Sequence, residues 1–332
     1  MLMNEAVLKK LAKPMIVCAT LIWGSTFFIM KDTLDDVDVL FLLAFRFTLA
    51  AVLLALVFWR RWKGMDLAYL WQGGVLGLLL CGAYIIQTFG LAGTTPGKNA
   101  FFTTVYCVIV PFLHWVVDKL RPSRYNVLAA VLCVAGIGFV SWDGGLALTA
   151  GDMLTLVSGF IYACHIVAVA KFAGGRDIFL LTVIQFAACA LLCWAGTVCT
   201  HGFPVGGLLA RAWLVLLYLA VAATSLGLLF QNVGQKYTDP ASAAVLLSLE
   251  APFGVLFSVL FGGERPTPLM YLGFASFSPP WCALRPSLSS CGPNGPARRR
   301  DQAGRCCSSH ASTSAYTSPL LISLSISCRP PG

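Results

Sequence analysis

The chain has 332 residues, 58% of them apolar and 11% charged, with a formal net charge of +9. Soluble domains run at about 45–50% apolar and about 25% charged, so a soluble globular fold is excluded and lipid must solvate much of this surface. The charge does not point to nucleic acid: residues 1–275 carry 17 Lys/Arg against 13 Asp/Glu, the last 57 residues carry six Arg against one Asp, and no compact basic patch with interleaved aromatics exists in the first part.

In chain order, a short basic start (Lys9, Lys10, Lys13) leads directly into an apolar segment without a convincing cleavage site, so it reads as a retained first helix. A bilayer core of about 30 Å needs about 20 apolar helical residues. Nine stretches satisfy this: Pro14–Met30, Val39–Trp59, Tyr69–Leu91, Asn99–Val117, Tyr125–Trp142, Met153–Ala170, Ile178–Val198, Ala212–Gly234 and Ala241–Gly262. In lipid each backbone amide must be satisfied within its own segment, so these are helices and the fold class is all-α and polytopic. Gly73, Gly77 and Gly82 in the third suggest close helix–helix approach. Cys18, Cys81, Cys107, Cys133, Cys164, Cys189 and Cys193 fall inside apolar runs, where a thiol acts as a small hydrophobe. Within residues 1–275 no CxxC or CxxH spacing occurs, so neither a metal site nor a cofactor is expected.

With the N-terminus in the cytoplasm, the inner segments hold twelve Lys/Arg, Arg60, Arg61, Lys171, Arg176 and Lys236 among them, and the outer segments hold four: Lys31, Lys98, Arg211 and Arg265. This alternation agrees with the positive-inside rule and predicts a multi-pass inner-membrane protein. A weak internal repeat accompanies it. An offset of 144 brings Pro96 onto Pro240, Tyr106 onto Glu250 and Pro122 onto Pro266; an offset of 139 sets Leu21–Phe27 against Phe160–Ile166. Two halves of five helices each must insert in opposite senses, the inverted-repeat plan of many secondary transporters.

The segments LIWGSTFFIMK (Leu21–Lys31), AFRFTLAAVLLAL (Ala44–Leu56), GLAGTTPGKNAFFTTVYCVIVP (Gly90–Pro111) and YTDPASAAVLLSLEAPFGVLFSVLFGGERPT (Tyr237–Thr267) resemble the EamA type of the drug/metabolite transporter superfamily. The resemblance covers about residues 14–275. It implies ten helices, cytoplasmic termini, and movement of small organic solutes across the inner membrane, often as export coupled to an ion gradient; fold does not name the solute. The expected organisation is a first repeat at 1–142, a second at 143–275, and an aberrant tail at 276–332. The tenth helix is where the pattern departs. After PLMYLGFASF the chain turns to Pro279, Pro280, Arg285 and Pro286 and a Ser/Arg/Pro/Cys-rich stretch that would interrupt a helix. Either a shifted reading frame near Ser276 or a genuine divergent tail explains the break, and resequencing codon 276 separates them.

Ionisable groups at membrane depth are functional suspects. Glu250 lies nine residues, about 14 Å, into its span, either as a coupling carboxylate or as a structural Glu bonded to a neighbouring helix. Pro252 two residues on would weaken the backbone ladder there. Arg46, about 10 Å inside the outer end of the second span, meets a substrate carboxylate, pairs with Glu250, or snorkels to the interface. Trp23 and Tyr106 are cavity aromatics or packing. Lys98 and Asn99, after Pro96–Gly97, begin the fourth span, where the helix N-terminus attracts an anion or Asn99 serves as an ordinary cap. His165 relays protons or sits as a satisfied core histidine. Gln87, Gln185, Gln231 and Asn232 bind a polar solute or join helices.

A membrane enzyme would need a catalytic constellation, and the scattered groups make none; no charge ring or carbonyl-filter motif suggests a channel. A non-functional product of a frameshifted transporter gene is the remaining alternative. The predicted partners are a small-molecule solute and the lipid bilayer; oligomeric state is silent.

Overall fold

Helix starts are written in side chains that satisfy the first free backbone amides. In the computed structural model, which describes residues 4–119, 148–200 and 207–263 together with scattered positions at 121–139, 202–203 and 265–272, Asn4 caps α1 (Glu5–Thr33). Asp38 caps α2 (Val39–Val57), and Asp66 caps α3 (Leu67–Ala92). Thr95 precedes Pro96 at the start of α4 (Pro96–Thr103), and α5 (Tyr106–Asp118) continues the same span. Thr149 and Asp152 form a reciprocal capping box on α6 (Ala150–Ala173), and α7 (Ile178–Thr200) follows. A π-helical stretch, Leu219–Leu228, joins α8 (Ala210–Tyr218) to α9 (Leu229–Lys236). Asp239 caps α10 (Pro240–Leu247), with proline again at the first helical position, and α11 (Glu250–Phe261) completes that span.

Eight helical spans are long and apolar enough to cross a bilayer, and no strand occurs among the described residues. The chain is a multi-pass helical membrane protein. These eight match eight of the nine predicted stretches. The predicted fifth, Tyr125–Trp142, falls mostly outside the described residues, as do the disrupted tenth helix and the tail from 276.

Elements recur at the spacing the sequence suggested. α2 and α7 begin 139 residues apart, at Val39 and Ile178, and α4 and α10 begin 144 apart at Pro96 and Pro240. The fourth span breaks at Thr104–Val105 and the last at Ser248–Leu249, again 144 apart. Hydroxyls bind carbonyls around both breaks: Thr104 Oγ1 donates to Phe101 O at 2.6 Å and Ser248 Oγ to Val245 O at 2.7 Å. Irregular backbone at membrane depth is tolerated where protein or a cavity surrounds it. Pro252 lies in the first turn of α11; a proline cannot donate to the carbonyl four residues before it, here Ser248 O, so the interruption at Ser248–Leu249 falls where the sequence placed a weakened ladder.

Packing follows the same correspondence. α3 packs on α6 and α7, α1 on α9 and α11, and α2 on α7 and the π stretch. A Cβ at Gly73 would lie 2.5 Å from the Ile184 side chain, and one at Gly77 2.7 Å from Gln185 O, so close approach of α3 to α7 needs both glycines. Gly82 does not share this role: its nearest neighbour, Ile161, would be 4.0 Å from an added Cβ.

The two ends of the bundle differ. At the end holding the α2–α3 and α6–α7 connections, Arg61 pairs with Asp177, and Arg176 Nη1 pairs with Asp66 at 2.6 Å. The Asp177 N–H donates to Tyr69 Oη at 2.9 Å, and Lys236 Nζ donates to Arg176 O at 2.7 Å. The hydrogen bond from Arg176 holds the Asp66 carboxyl below its usual range, and the same bond raises Arg176. At the opposite end Lys31 Nζ donates to Leu91 O at 2.9 Å and Ala92 O at 2.7 Å, capping the negative end of α3. The ion pair at that end, Arg211–Asp32, is a loose 3.8 Å contact between exposed side chains.

Candidate functional site

Between the repeated elements lies a cavity, and Glu250, Arg46, Trp23, Tyr106 and Asn99 all line it. Five of the six predicted site residues therefore converge. His165 does not line it: the ring is fully buried between α6 and α7, with Nε2 3.2 Å from Gln185 Oε1.

Glu250 opens α11 directly after the helix break and is 5% exposed. Its Oε1 accepts a 2.9 Å hydrogen bond from Tyr106 Oη, the first residue of α5 after the matching break. The two positions equated by the repeat thus touch each other. Arg46 is 1% exposed. Its Nε donates to Thr224 Oγ1 at 2.8 Å, its Nη1 lies 3.5 Å from Met30 Sδ, and its guanidinium sits 4.9 Å from the centroid of the Tyr84 ring. Of the readings left open for Arg46, snorkelling is excluded by this burial. Pairing with Glu250 is not seen among the described residues, which leaves the charge facing the cavity.

Trp23 Nε1 donates to Ala223 O at 2.8 Å, inside the π stretch. Asn99 is not the cap of α4, since Thr95 is. It sits one turn in and ties α4 to its neighbours: its Nδ2 donates to Thr155 Oγ1 at 2.7 Å and to Gln87 O at 3.3 Å, while its Oδ1 is buried without a partner. Tyr162 Oη donates to Gln87 Oε1 at 2.8 Å, and Gln87 Nε2 donates to Thr103 Oγ1 at 2.9 Å. The site therefore offers one carboxyl, one guanidinium and a chain of neutral donors and acceptors within aromatic walls, which suits a small polar organic solute.

Tyr84 and Tyr162 were missed from sequence. The repeat held the signal for the second, because Tyr162 is the counterpart of Trp23 at offset 139; likewise Gln231 is the counterpart of Gln87 at 144, and all four line the cavity. Three of the cysteines also meet across helices. Cys81 of α3 and Cys189 and Cys193 of α7 bring their Sγ atoms within 4.8 Å of one another, with Cys81 and Cys193 at 3.6 Å. Metal–sulfur bonds near 2.3 Å would set three coplanar ligands about 4.0 Å apart, so the cluster has the dimensions of a thiolate site. Local spacing concealed it, because the third thiol comes from another helix. None of the three lines the cavity.

Eight apolar spans around a buried polar cavity define a membrane transport protein. The EamA-like transporter family pattern matches residues 11–142 and again 149–276, and the chain belongs to that family. It is 32% identical over 254 residues to an uncharacterized transporter of Archaeoglobus fulgidus, covering 76% of this chain and 79% of that protein. It is 27% identical over 282 residues to a probable biotin transporter of Pseudomonas aeruginosa, covering 77% and 91%. It is 25% identical over 274 residues to a probable terminal-alkyne amino-acid exporter of Streptantibioticus cattleyicolor, covering 78% and 88%. A solved crystal structure with 18% identity superposes with a TM-score of 0.65 over 80% of this chain and 94% of that one, a likeness of fold. The family and these relatives are transporters rather than enzymes.

Proposed function

We propose that the chain is a secondary active transporter that moves small organic solutes bearing an acid group, in the export direction, by alternating access coupled to protons at Glu250. The observation that carries this reading is the Glu250–Tyr106 contact, where a buried carboxyl and its repeat counterpart meet at the helix breaks and face one cavity with Arg46. A carboxyl there takes up or loses a proton as its surroundings become wet or dry, and so biases one state over the other. Arg46 supplies the charge that a solute carboxylate would meet. Biotin and amino acids, which appear in the names of relatives, are both carboxylates.

In this reading residues 1–142 and 143–275 are oppositely inserted halves of five helices, the N-terminus is cytoplasmic, the protein lies in the inner membrane, and the Arg61 end faces the cytoplasm, in accord with the distribution of Lys and Arg. The aberrant sequence from 276 belongs to a frame shift, as its composition break suggests, and a frame-restored chain would carry a tenth apolar helix.

The test is flux in proteoliposomes of known orientation, with a panel of carboxylate and neutral solutes and an imposed pH gradient. The parent is expected to move a carboxylate solute along with the gradient, and Glu250→Gln to insert normally yet lose gradient-driven flux. Gradient dependence retained in Glu250→Gln removes Glu250 from coupling. Absence of flux for every solute in both the given and the frame-restored chain removes the transporter reading.

A further inference from the structure

The cavity is not symmetric about the repeat. Six pairs of counterparts line it from both halves, including Trp23 with Tyr162, Gln87 with Gln231 and Tyr106 with Glu250. Five lining residues stand alone: Thr26, Met30, Arg46, Leu91 and Asn99. All five come from the first half, and all lie toward the Lys31 end of their helices. Their counterparts, at the same offsets of 139 and 144, are His165, Val169, Gln185, Gln235 and Ala243. None of these lines the cavity, each is buried, and all lie toward the Arg61 end, the end tied shut by Arg61–Asp177 and Arg176–Asp66.

Packing alone does not account for three of these five. Buried polar atoms are nearly always paired, yet His165 Nδ1, Gln185 Nε2 and Gln235 Nε2 are buried without a hydrogen-bond partner. Gln235 is also one turn from the cavity residue Gln231, whose Nε2 lies 3.5 Å from Gln235 Oε1. A polar thread thus runs from the cavity toward the tied end and stops at unpaired groups.

We infer that His165, Gln185 and Gln235 line a second, cytoplasm-facing solute-binding surface, covered in this conformation and uncovered when the cavity opens at the Arg61 end. The inference rests on the alternating-access reading above. Its chemistry follows from the unpaired atoms: the two amide N–H donors suit a solute presenting carboxylate or carbonyl oxygens, while His165 Nδ1, whose ring partner Nε2 donates to Gln185 Oε1, accepts from a solute N–H or O–H. The counterpart of Arg46 is the neutral Gln185, so a carboxylate meets a full charge when the cavity faces the Lys31 end and only an amide dipole when it faces the Arg61 end.

The test uses Ala243→Cys, whose side chain would face the covered surface without belonging to its polar set, and its counterpart Asn99→Cys, in membrane vesicles of known sidedness. Labelling by a membrane-impermeant maleimide is measured above that of the parent protein. Ala243→Cys is expected to react from the cytoplasmic side only, and several-fold faster when Arg61→Ala and Arg176→Ala release the tied end. Asn99→Cys is expected to react from the opposite side and to slow in that background. Both variants are first shown to match the parent in membrane insertion and in elution as a single species in detergent. Labelling of Ala243→Cys no faster than parent in both backgrounds, with Asn99→Cys reactive, overturns the inference. Reaction of Ala243→Cys from the Asn99 side overturns it equally. Flux by the parent alongside either result leaves the transporter reading standing and removes this one alone.

Discussion

The two ends of the bundle are built from corresponding helices and have opposite characters. At the Arg61 end, charged side chains from the α2–α3 connection meet those from the α6–α7 connection in two ion pairs, and Lys236 bonds the backbone between them. At the Lys31 end the cavity lining continues through Met30, Leu91 and Asn99, and the cross-helix ion pair is exposed and long. The counterpart of Asp177 at offset 139 is Asp38, whose carboxylate does no more than cap α2. The difference teaches that the ties at each end are local: on the proposed alternating-access reading, a few side chains decide which end is shut.

The strongest way to break this comparison is to make the ends alike. Arg46→Gln installs the residue of its counterpart. Hydrogen bonds to charged groups are worth about 1.5–3 kcal/mol, so carboxylate flux at limiting solute should fall about 10- to 100-fold while flux of a neutral analogue changes little; equal loss for both would make Arg46 structural. Next in size is Gly77→Leu, which forces a bulky side chain where even a Cβ lies 2.7 Å from Gln185 O. It should separate α3 from α7 and lower thermal stability by about 1–3 kcal/mol, whereas Gly82→Leu, with open space, should be tolerated; thermal unfolding in detergent compares them.

Tyr106→Phe should cost about 1 kcal/mol of stability through the lost bond to Glu250 and slow gradient-driven flux several-fold, read as initial rates across a pH series. The smallest effects belong to the pH response of the ion pairs at the Arg61 end. Because the folded Asp66 pKa is depressed, its contribution is complete above the ordinary carboxylate value of about 3.9 and is lost as pH falls through the depressed value. The Arg61 end should thus stay closed from pH 8 to pH 5 and loosen only in stronger acid or high salt, as read by the maleimide reactivity of Ala243→Cys. Loosening already at pH 6 would assign closure to another group.

Much of this was visible in the chain before folding. Bilayer thickness dictates span length and desolvation dictates helix, so eight spans could be placed from apolar run lengths. Glu250 and Tyr106 were recoverable together because the repeat equates them. What stayed hidden depends on rotation about helix axes and on contacts between distant segments. The third thiol beside Cys189 and Cys193 comes from α3. Pro252 marked the neighbourhood of the break before Glu250 through the carbonyl four residues back, but the restart of the helix at Glu250 shows in no single residue. Arg46 had three readings until Thr224 and Tyr84 were placed around it.

The central claim is that the two ends open in alternation, and paired spin-label distances test it most directly. One label pair spans the Arg61 end, at Lys63 and Gly174, and the other spans the Lys31 end, at Thr94 and Leu208, in proteoliposomes with the ion pairs intact and with Arg61→Ala and Arg176→Ala. The account predicts two distance populations at each end that change in opposite directions: release of the ion pairs lengthens the first pair and shortens the second. A single unchanged population at both ends, or lengthening at both together, would contradict it.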